Sequence, residues 1–299
     1  MKKPNFIIAG FPKCGTTSLH HYLDEHPEIF MPAQKELHFF TNNIISRLNN
    51  GPKDAIVKKT QINNSEKYFN FYKSVRNEIA IGDASPSYIN YPGQFKKIKE
   101  FLNDPKVIII LRDPIDRAYS NYLHLKREQR ENLTFEEAIS AEDERKTNKY
   151  SDFWYYKFNS TYYDKIIKAK ETFSSVLILN SEELINNGET TLKNVYKFLE
   201  VDDTFKSKRK YTNFNKGGQF KQNIFTKIIF QPSRLKNTIK KVIKPTPFLK
   251  IIISKIANTF SKKTKKIDDE SLKYLKKYFK KEVEKLKTLN IDTSKWRDY

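Results

Sequence analysis

The sequence predicts an α/β fold of the P-loop-like kind, with three layers in which helices flank a central parallel sheet. Short apolar runs at 6–9, 79–82, 107–111 and 176–179 are each followed by a segment with helical periodicity. Strands that alternate with helices in this way are typical of parallel sheets. The run at 107–111 is apolar at every position, as expected of a central strand that is covered on both faces.

A glycine-punctuated loop joins the first strand to the first helix, and it predicts an anion site. Gly10 and Gly15 bound the loop, and the helix is expected over 16–26. The free N–H groups and the dipole at a helix N-terminus bind phosphate. The spacing is similar to the P-loop motif G-x-x-x-x-G-K-[ST], but Thr16 stands where that motif has its lysine, and the loop's lysine is Lys13. A γ-phosphate site is therefore poorly supported, and a chance glycine pair on an ordinary turn stays as the alternative.

Length and composition favour a single domain over 1–299. The chain is 38% apolar and 14% aromatic, which is enough to bury a large core. The sequence runs from Met1 directly into the first strand, which leaves no room for a signal peptide, and no apolar run is long enough to span a membrane. The lone Cys14 has no partner for an intrachain disulfide. We therefore expect a cytoplasmic protein.

The net charge of +21 is concentrated in residues 204–267, called the basic segment below. It contains 18 of the 56 Lys and Arg residues and none of the 35 Asp and Glu residues. Apolar residues alternate with lysines over 224–266, interrupted by prolines. Three interpretations stay open: peripheral binding to the anionic inner face of a membrane, a flap over an acidic acceptor, or an exposed basic face without a ligand. We expect no nucleic acid partner, and a non-enzymatic membrane or polyanion binder is one alternative function.

Three further helix signals complete the predicted fold. An amphipathic helix is expected over 66–75; its aromatic face is assigned to the core, with the wall of a substrate cleft as the alternative. Thr134 and Glu137 have the spacing of a capping box at the start of another helix. The chain is predicted to end in a helix over 268–289, followed by a late Trp296.

The glycine loop also carries a resemblance to a known family. Pro12-Lys13-Cys14-Gly15-Thr16-Thr17 has the form P-K-x-G-T-[ST]. It resembles the 5′-phosphosulfate loop of the sulfotransferases that use 3′-phosphoadenosine 5′-phosphosulfate (PAPS), especially the carbohydrate, heparan sulfate-type members. The resemblance implies PAPS as the sulfate donor and no required metal. It also implies a set of cofactor-binding residues: Lys13, Cys14, Gly15, Thr16, Thr17 and Ser18, with Lys216 and Gly217 in a late loop that closes over the phosphates. Members of the family often end in a similar helix with a late tryptophan packed back on the sheet, which implies the same place for Trp296.

A second cofactor pattern follows the strand at 107–111. Arg112 stands at the carboxyl end of this strand, where open α/β sheets bind ligands, and Asp113 opens the next helix as its cap. Arg112, Arg117 and Ser120 reproduce the family pattern L-R-[DN]-P-x-x-R-x-x-S. This resemblance implies that Arg112 and Ser120 hold the 3′-phosphate of the cofactor. A Walker-B-like strand, in which Asp113 supports Mg²⁺ in a nucleotide kinase, is the alternative.

Glu36 is the predicted catalytic base. It lies two residues before His38 and beside apolar neighbours, an environment that raises a carboxyl pKa and suits proton abstraction. From the residues alone, a surface ion pair with Lys35 or Lys13 is the alternative. The segment resembles the family element E-x-x-F-F, which implies that Glu36 deprotonates the acceptor hydroxyl. His38 is the fallback base, and Lys13 is implied to stabilise the leaving phosphate during in-line transfer.

The acceptor expected from this resemblance is a saccharide or a glycolipid. Residues 83–88 resemble the family element E-K-[ST]-P-x-Y beside the acceptor site, but Ala84 occupies a position at which many glycosaminoglycan-modifying members have a lysine. The charge of that lysine is then absent or supplied by another residue. The aromatic stretch 153–163 either lines an acceptor cleft or belongs to the core.

Overall fold

The computed structural model describes residues 2–57, 61–207 and 266–299, together with the backbone of two short strands at 219–220 and 261–262. Lys216, Gly217 and almost all of 224–266 lie outside the described residues. The interpretations given for them therefore stay predictions.

The described strands are β1 (Phe6–Gly10), β2 (Ile29–Phe30), β3 (Ala80–Ala84), β4 (Lys106–Leu111), β5 (Val176–Asn180), β6 (Gln219–Phe220) and β7 (Ser261–Lys262). The described helices are α1 (Thr16–Leu23), α2 (Asn42–Ile45), α3 (Asp54–Val57), α4 (Ser65–Asn70), α5 (Phe95–Leu102), α6 (Pro114–Arg127), α7 (Phe135–Ser140), α8 (Glu142–Thr147), α9 (Tyr163–Thr172), α10 (Ser181–Asn186), α11 (Gly188–Leu199) and α12 (Asp269–Lys287). Single 3₁₀ turns occur at Tyr88–Asn90, Pro92–Gln94, Asp152–Trp154 and Phe158–Ser160.

Strands β1 to β5 form one parallel sheet in the order β2-β3-β1-β4-β5. The four predicted strands are present, and β2 adds an edge that the sequence shows only as a short apolar piece. The central strands β1 and β4 are buried from Phe6 to Ala9 and from Val107 to Leu111. Helices flank the sheet, so the predicted α/β fold is confirmed. Strands β6 and β7 form a separate antiparallel pair.

Two helices are shorter than predicted. α1 ends at Leu23 with Asp24 as its cap, and the chain continues in turns to His26, directly before Pro27. α4 ends at Asn70, and turns follow it to Val75. Tyr68 and Tyr72 from this region are buried in the core, as expected. The capping box between Thr134 and Glu137 at the start of α7 is confirmed.

The C-terminal helix is tied to the end of β4. Glu282 on α12 accepts hydrogen bonds from the backbone N–H groups of Tyr162 and Tyr163, at 2.5 and 2.6 Å. The Tyr162 hydroxyl in turn donates to the carbonyl oxygen of Arg112 at 3.0 Å. Trp296 is buried in the core around the sheet, as predicted. The C-terminal region therefore supports the strand end from which Arg112 projects.

Candidate active site

The parallel sheet gathers the loops after its strands at one edge. The loop after β1 lies between the ends of β3 and β4, which flank β1 in the sheet. The chain builds one side of the sheet with β2 and β3 and then crosses to the other side with β4 and β5. In open α/β sheets, ligands bind in the crevice at the point where the strand order changes side. That point lies here between the ends of β1 and β4.

The loop from Gly10 to Gly15 leaves the start of α1 open. Gly15 has φ 104° and precedes the helix, and this left-handed backbone favours glycine. No side chain caps α1, and its first turn contains no acidic residue. The first N–H groups of a helix have no partner within the helix. The start of α1 is therefore arranged to bind an anion.

A cavity of about 410 Å³, called the loop cavity, lies at this helix end. Every predicted cofactor residue that the structure describes lines it: Lys13, Cys14, Gly15, Thr16, Thr17, Ser18, Arg112 and Ser120. Sequence reasoning missed Glu182 at the start of α10, which also lines this cavity. Burial raises the pKa of the Glu182 carboxyl group. Its place directly after β5 is the signal that could have found it.

Arg117 does not line the loop cavity but supports the loop from behind. Its side chain is fully buried. Its Nε donates to the carbonyl oxygen of Pro12 at 3.0 Å, and its Nη1 donates to the carbonyl oxygen of Tyr156 at 3.0 Å. Of the three residues in the sequence pattern, Arg112 and Ser120 therefore face the cavity, and Arg117 positions the loop.

Lys13 lies among other cations. Burial, followed by the nearby guanidinium groups of Arg127, Arg117 and Arg112, lowers its pKa to about 8. A bound anion would offset both effects, because it stabilises the ammonium form of the lysine. The electrostatics of the loop cavity therefore favour an anionic ligand.

Glu36 is held in an ion pair, and its pKa is lowered rather than raised. Lys35 Nζ donates a 2.7 Å hydrogen bond to Glu36 Oε1, and the charge of Lys35 is the main cause that lowers the Glu36 pKa to about 2. The expectation of a raised pKa is wrong because the charge of Lys35, with smaller contributions from His38 and Lys13, outweighs the raising effect of burial. The neighbouring Leu37 turns into the core, but Glu36 faces the cavity. The backbone N–H of Glu36 donates to the carbonyl oxygen of Ala84, which anchors Glu36 at the end of β3.

His38 lies beside Glu36 but not on the loop cavity. Its Nε2 is 3.9 Å from Glu36 Oε2, and its Nδ1 is 2.7 Å from Ser87 Oγ. Its backbone N–H donates to Ser85 Oγ. Burial lowers the pKa of His38, so the ring is neutral at neutral pH. The loop after β3 thus fixes the position of the fallback base.

A second cavity of about 260 Å³, called the side cavity, adjoins the loop cavity and contains His38. Four residues line both cavities: Pro12, Glu36, His124 and Phe153. Glu36 therefore stands where the two spaces meet. The aromatic stretch 153–163 is expected to line a cleft or to belong to the core, and its residues do both. Phe153 lines the two cavities, whereas Trp154 and Tyr156 are buried in the core.

His124 on α6 is a titratable group at this junction that sequence reasoning missed. Arg127 Nη2 lies 2.8 Å from His124 Nδ1, and a guanidinium can only donate, so the ring proton lies on Nε2. His124 Nε2 is 3.3 Å from Glu128 Oε1. Burial lowers the pKa of His124. His124 lies four residues after Ser120, so both side chains are on one face of α6. This spacing could have identified His124 as a residue of the site.

Asp113 has a structural position that does not suit the kinase alternative. Its Oδ1 accepts from the backbone N–H of Asp116, as a helix cap, and its Oδ2 accepts from the backbone N–H of Arg297, both at 2.9 Å. Both carboxylate oxygens are thus used by the protein.

Within the described ranges, no group of three or more His, Cys, Asp or Glu residues is arranged to hold a metal ion. No helix in the described part of the chain is long and apolar enough to cross a membrane.

Comparison with known families identifies one match over most of the chain. A model described as "Sulfotransferase family" matches residues 4–205. Among solved structures, a sulfotransferase from Alicyclobacillus acidocaldarius is similar with a TM-score of 0.68 and 30% sequence identity, over 85% of this chain and 97% of that chain.

Curated relatives match over shorter stretches. Membrane-associated sulfotransferase kil1 of Dictyostelium discoideum is 38% identical over 119 residues, which are 40% of this chain and 22% of the relative. Carbohydrate sulfotransferase 15 of Mus musculus is 31% identical over 172 residues, with 46% and 30% covered. Bifunctional heparan sulfate N-deacetylase/N-sulfotransferase 4 of Mus musculus is 26% identical over 215 residues, with 66% and 22% covered. The chain thus spans less than a third of the length of each of these relatives.

Proposed function

The chain belongs to the Sulfotransferase family, and we propose that it transfers the sulfuryl group of PAPS to a hydroxyl or amine of a saccharide. One observation carries the proposal: the predicted cofactor residues that the structure describes line one cavity, and Glu36 lies where that cavity meets a second one. A group-transfer enzyme needs such an arrangement, because donor and acceptor must be held together at the reacting atoms.

The chemistry of the loop cavity suits PAPS. The open start of α1 and Lys13 suit the 5′-phosphosulfate group. Arg112 and Ser120 offer a guanidinium and a hydroxyl group to the 3′-phosphate. That phosphate distinguishes PAPS from ATP. The lowered pKa of Lys13 also supports an anionic ligand of this kind.

Glu36 is the proposed base. PAPS, when bound, supplies the sulfuryl group for in-line transfer. With a pKa of about 2, Glu36 is ionised at neutral pH and can accept the proton of the acceptor hydroxyl. Lys35 has to move away from Glu36 Oε1 for that oxygen to receive a proton. His38, with Nε2 3.9 Å from Glu36 Oε2, is the fallback.

Lys13 and the N-terminal amides of α1 are proposed to stabilise the charge that develops on the leaving phosphate. Lys35 is a second cation beside the proposed phosphosulfate site, because its Nζ lies 3.2 Å from Thr16 Oγ1 in the first turn of α1. We propose that Lys35 supplies the charge that many glycosaminoglycan-modifying members carry on a lysine where this chain has the buried Ala84.

The names of two relatives support a saccharide acceptor, because one is a carbohydrate sulfotransferase and the other a heparan sulfate sulfotransferase. A glycolipid is a related possibility, since the name of a third relative describes it as membrane-associated. We propose that the basic segment brings the enzyme to an anionic membrane at the cytoplasmic face. Co-sedimentation with anionic but not with neutral lipid vesicles is the expected result, and equal binding to both would contradict it.

Transfer of radiolabelled sulfate from PAPS to a panel of saccharides tests the proposed activity. We expect Glu36→Gln and Lys13→Ala each to lower the rate by about a hundredfold, because each removes one group that acts on the reacting atoms. Glu66→Gln, at an exposed glutamate of α4, is the matched control and should keep the wild-type rate. Circular dichroism checks that each variant is folded. Wild-type turnover by folded Glu36→Gln would remove Glu36 from the mechanism.

A further inference from the structure

The side cavity has an acidic lining, in contrast to the loop cavity. Among the residues that the structure describes, its lining includes four carboxylates and two permanent cations: Glu36, Asp54, Glu128 and Asp152 against Lys35 and Arg130. The lining therefore has a surplus of negative charge before any ligand enters. Whether such a cavity can accept an anion depends on whether its cations are available.

Arg130 is committed to the protein. Its Nε donates to the carbonyl oxygen of Pro52 at 2.9 Å, its Nη1 donates to Glu128 Oε2 at 3.1 Å, and its Nη2 pairs with Asp54. Asp54 also accepts from the indole N–H of Trp154. The Arg130 side chain is 3% exposed. It is therefore part of the cavity wall and has little surface to offer a ligand.

The other basic groups that the structure describes in the lining, Lys35, His38 and His124, add no available positive charge. Lys35 is paired with Glu36 at 2.7 Å. Burial lowers the pKa of both His38 and His124, so both rings are neutral at neutral pH. A second proton on His124 would also disrupt the hydrogen bond that its Nδ1 accepts from Arg127.

Asp152 is a carboxylate of this lining with no ion-pair partner in the described part of the chain. The hydroxyl of Tyr91 donates to its Oδ2 at 3.0 Å. Asp152 is half-buried at the cavity, next to Phe153, which lines both cavities. A carboxylate accepts hydrogen bonds from sugar hydroxyls, and the adjacent ring offers an apolar face to a sugar.

We propose that the sugar unit entering the side cavity carries no carboxylate or sulfate, and that Asp152 binds it by accepting hydrogen bonds from its hydroxyl groups. An anionic sugar would meet a surplus of carboxylates and, among the described lining residues, no uncommitted cation. A poorly solvated charge without a partner is costly. The inference rests on the proposed function, because it assigns the side cavity to the acceptor. It differs from the polyanion heparan sulfate that appears in the name of one relative.

Matched polymers test the proposal. Heparosan and chondroitin contain uronic acid carboxylates, and their carboxyl-reduced forms differ in that group alone. With radiolabelled PAPS, we expect kcat/KM for each reduced polymer to exceed that of its parent by about tenfold or more. A preference for the parent polymers would overturn the proposal and would point to cations outside the described residues, such as those of the basic segment.

Variants of Asp152 localise the effect. Asp152→Lys should lower the ratio of kcat/KM for the reduced polymers to kcat/KM for their parents, because it places a free cation in the side cavity. The change should come mainly from a lower KM for the parent polymers. Asp152→Asn, which keeps the size and the acceptor oxygen, should have an intermediate effect. Asp164→Asn removes an exposed carboxylate on α9 and should leave the preference unchanged. An unchanged preference in Asp152→Lys would also overturn the proposal.

Binding of 3′,5′-adenosine bisphosphate separates this inference from the proposed function. A wild-type protein that binds the bisphosphate but sulfates neither form of either polymer would overturn the acceptor inference and leave the donor site standing. A protein that does not bind the bisphosphate would overturn the proposed function itself.

Discussion

Lys35 donates a 2.7 Å hydrogen bond to Glu36 and is the largest cause of the low pKa of that carboxyl group. The same ammonium group lies 3.2 Å from Thr16 Oγ1, at the open start of α1. One cation thus connects the proposed base to the proposed sulfate site. An anion bound at α1 would compete with Glu36 for Lys35, and Glu36 would become a stronger base when the donor is present.

Replacing Lys35 should raise the pKa of Glu36. Lys35→Met removes the positive charge that contributes most to the low pKa of Glu36, while burial still raises that pKa. The Glu36 pKa should therefore move from about 2 toward or above the ordinary glutamate value. Glu36 acts when ionised, so the acid limb of kcat/KM should move to higher pH. NMR titration of labelled glutamate carboxyl groups measures the shift, and Lys73→Met is an exposed control. The same Glu36 pKa in wild type and Lys35→Met would mean that Lys35 does not lower the pKa of Glu36.

Binding of 3′,5′-adenosine bisphosphate should weaken as the pH rises through the pKa of Lys13, about 8. Below that pH the lysine is already charged, whereas above it the ligand must draw a proton onto the amine. Calorimetry in two buffers of different ionisation enthalpy should therefore show proton uptake at about pH 9. Lys13→Met should bind more weakly and lose most of this uptake. Equal uptake in the variant would assign the proton to another group.

Arg117→Lys should destabilise the fold and loosen the loop. The change keeps a charge but cannot reproduce the bonds to the carbonyl oxygens of Pro12 and Tyr156. Each buried acceptor left without a donor costs about 1–3 kcal/mol. Urea unfolding should show a loss in the free energy of unfolding of at least about 2 kcal/mol, and Arg76→Lys, at an exposed arginine, should show none. Unchanged stability would mean that Arg117 does not hold the loop.

Gly10→Ala should be destabilising because β1 packs closely at this position. A Cβ atom at Gly10 would lie 2.1 Å from Ile89 Cγ2, and the isoleucine is fully buried. Overpacking of this kind costs about 1–3 kcal/mol. Gly93→Ala is a matched control, since no atom lies within 4 Å of its added Cβ. Thermal unfolding should separate the two variants, and equal melting temperatures would contradict the packing described here.

The elements that the sequence predicts well are the local ones. The tight loop and the open helix start after it follow from Gly10, Gly15 and Thr16, which are neighbours in the chain. The central strand β4 follows from its unbroken apolar run, and β2 was missed because a two-residue strand has no periodicity. The ends of α1 and α4 depend on turns that periodicity does not indicate.

The features that the sequence could not supply depend on side-chain direction. Glu36 has apolar sequence neighbours, but its carboxylate faces a cavity and Lys35, so its pKa falls instead of rising. Arg117 and Arg112 belong to one motif, yet one is buried behind the loop and the other lines the cavity. The junction at which Glu36 and His124 meet both cavities depends on the packing of α6 against the loops, which spacing along the chain does not encode.

Calorimetric titration with 3′,5′-adenosine bisphosphate, beside Mg·ATP and the 5′-monophosphate, measures whether the loop cavity is a PAPS site. We expect tight binding of the bisphosphate, much weaker binding of the other two ligands, and loss of this difference in Arg112→Ala but not in Arg76→Ala. Tighter binding of Mg·ATP, or no binding of the bisphosphate by the folded wild-type protein, would contradict this assignment.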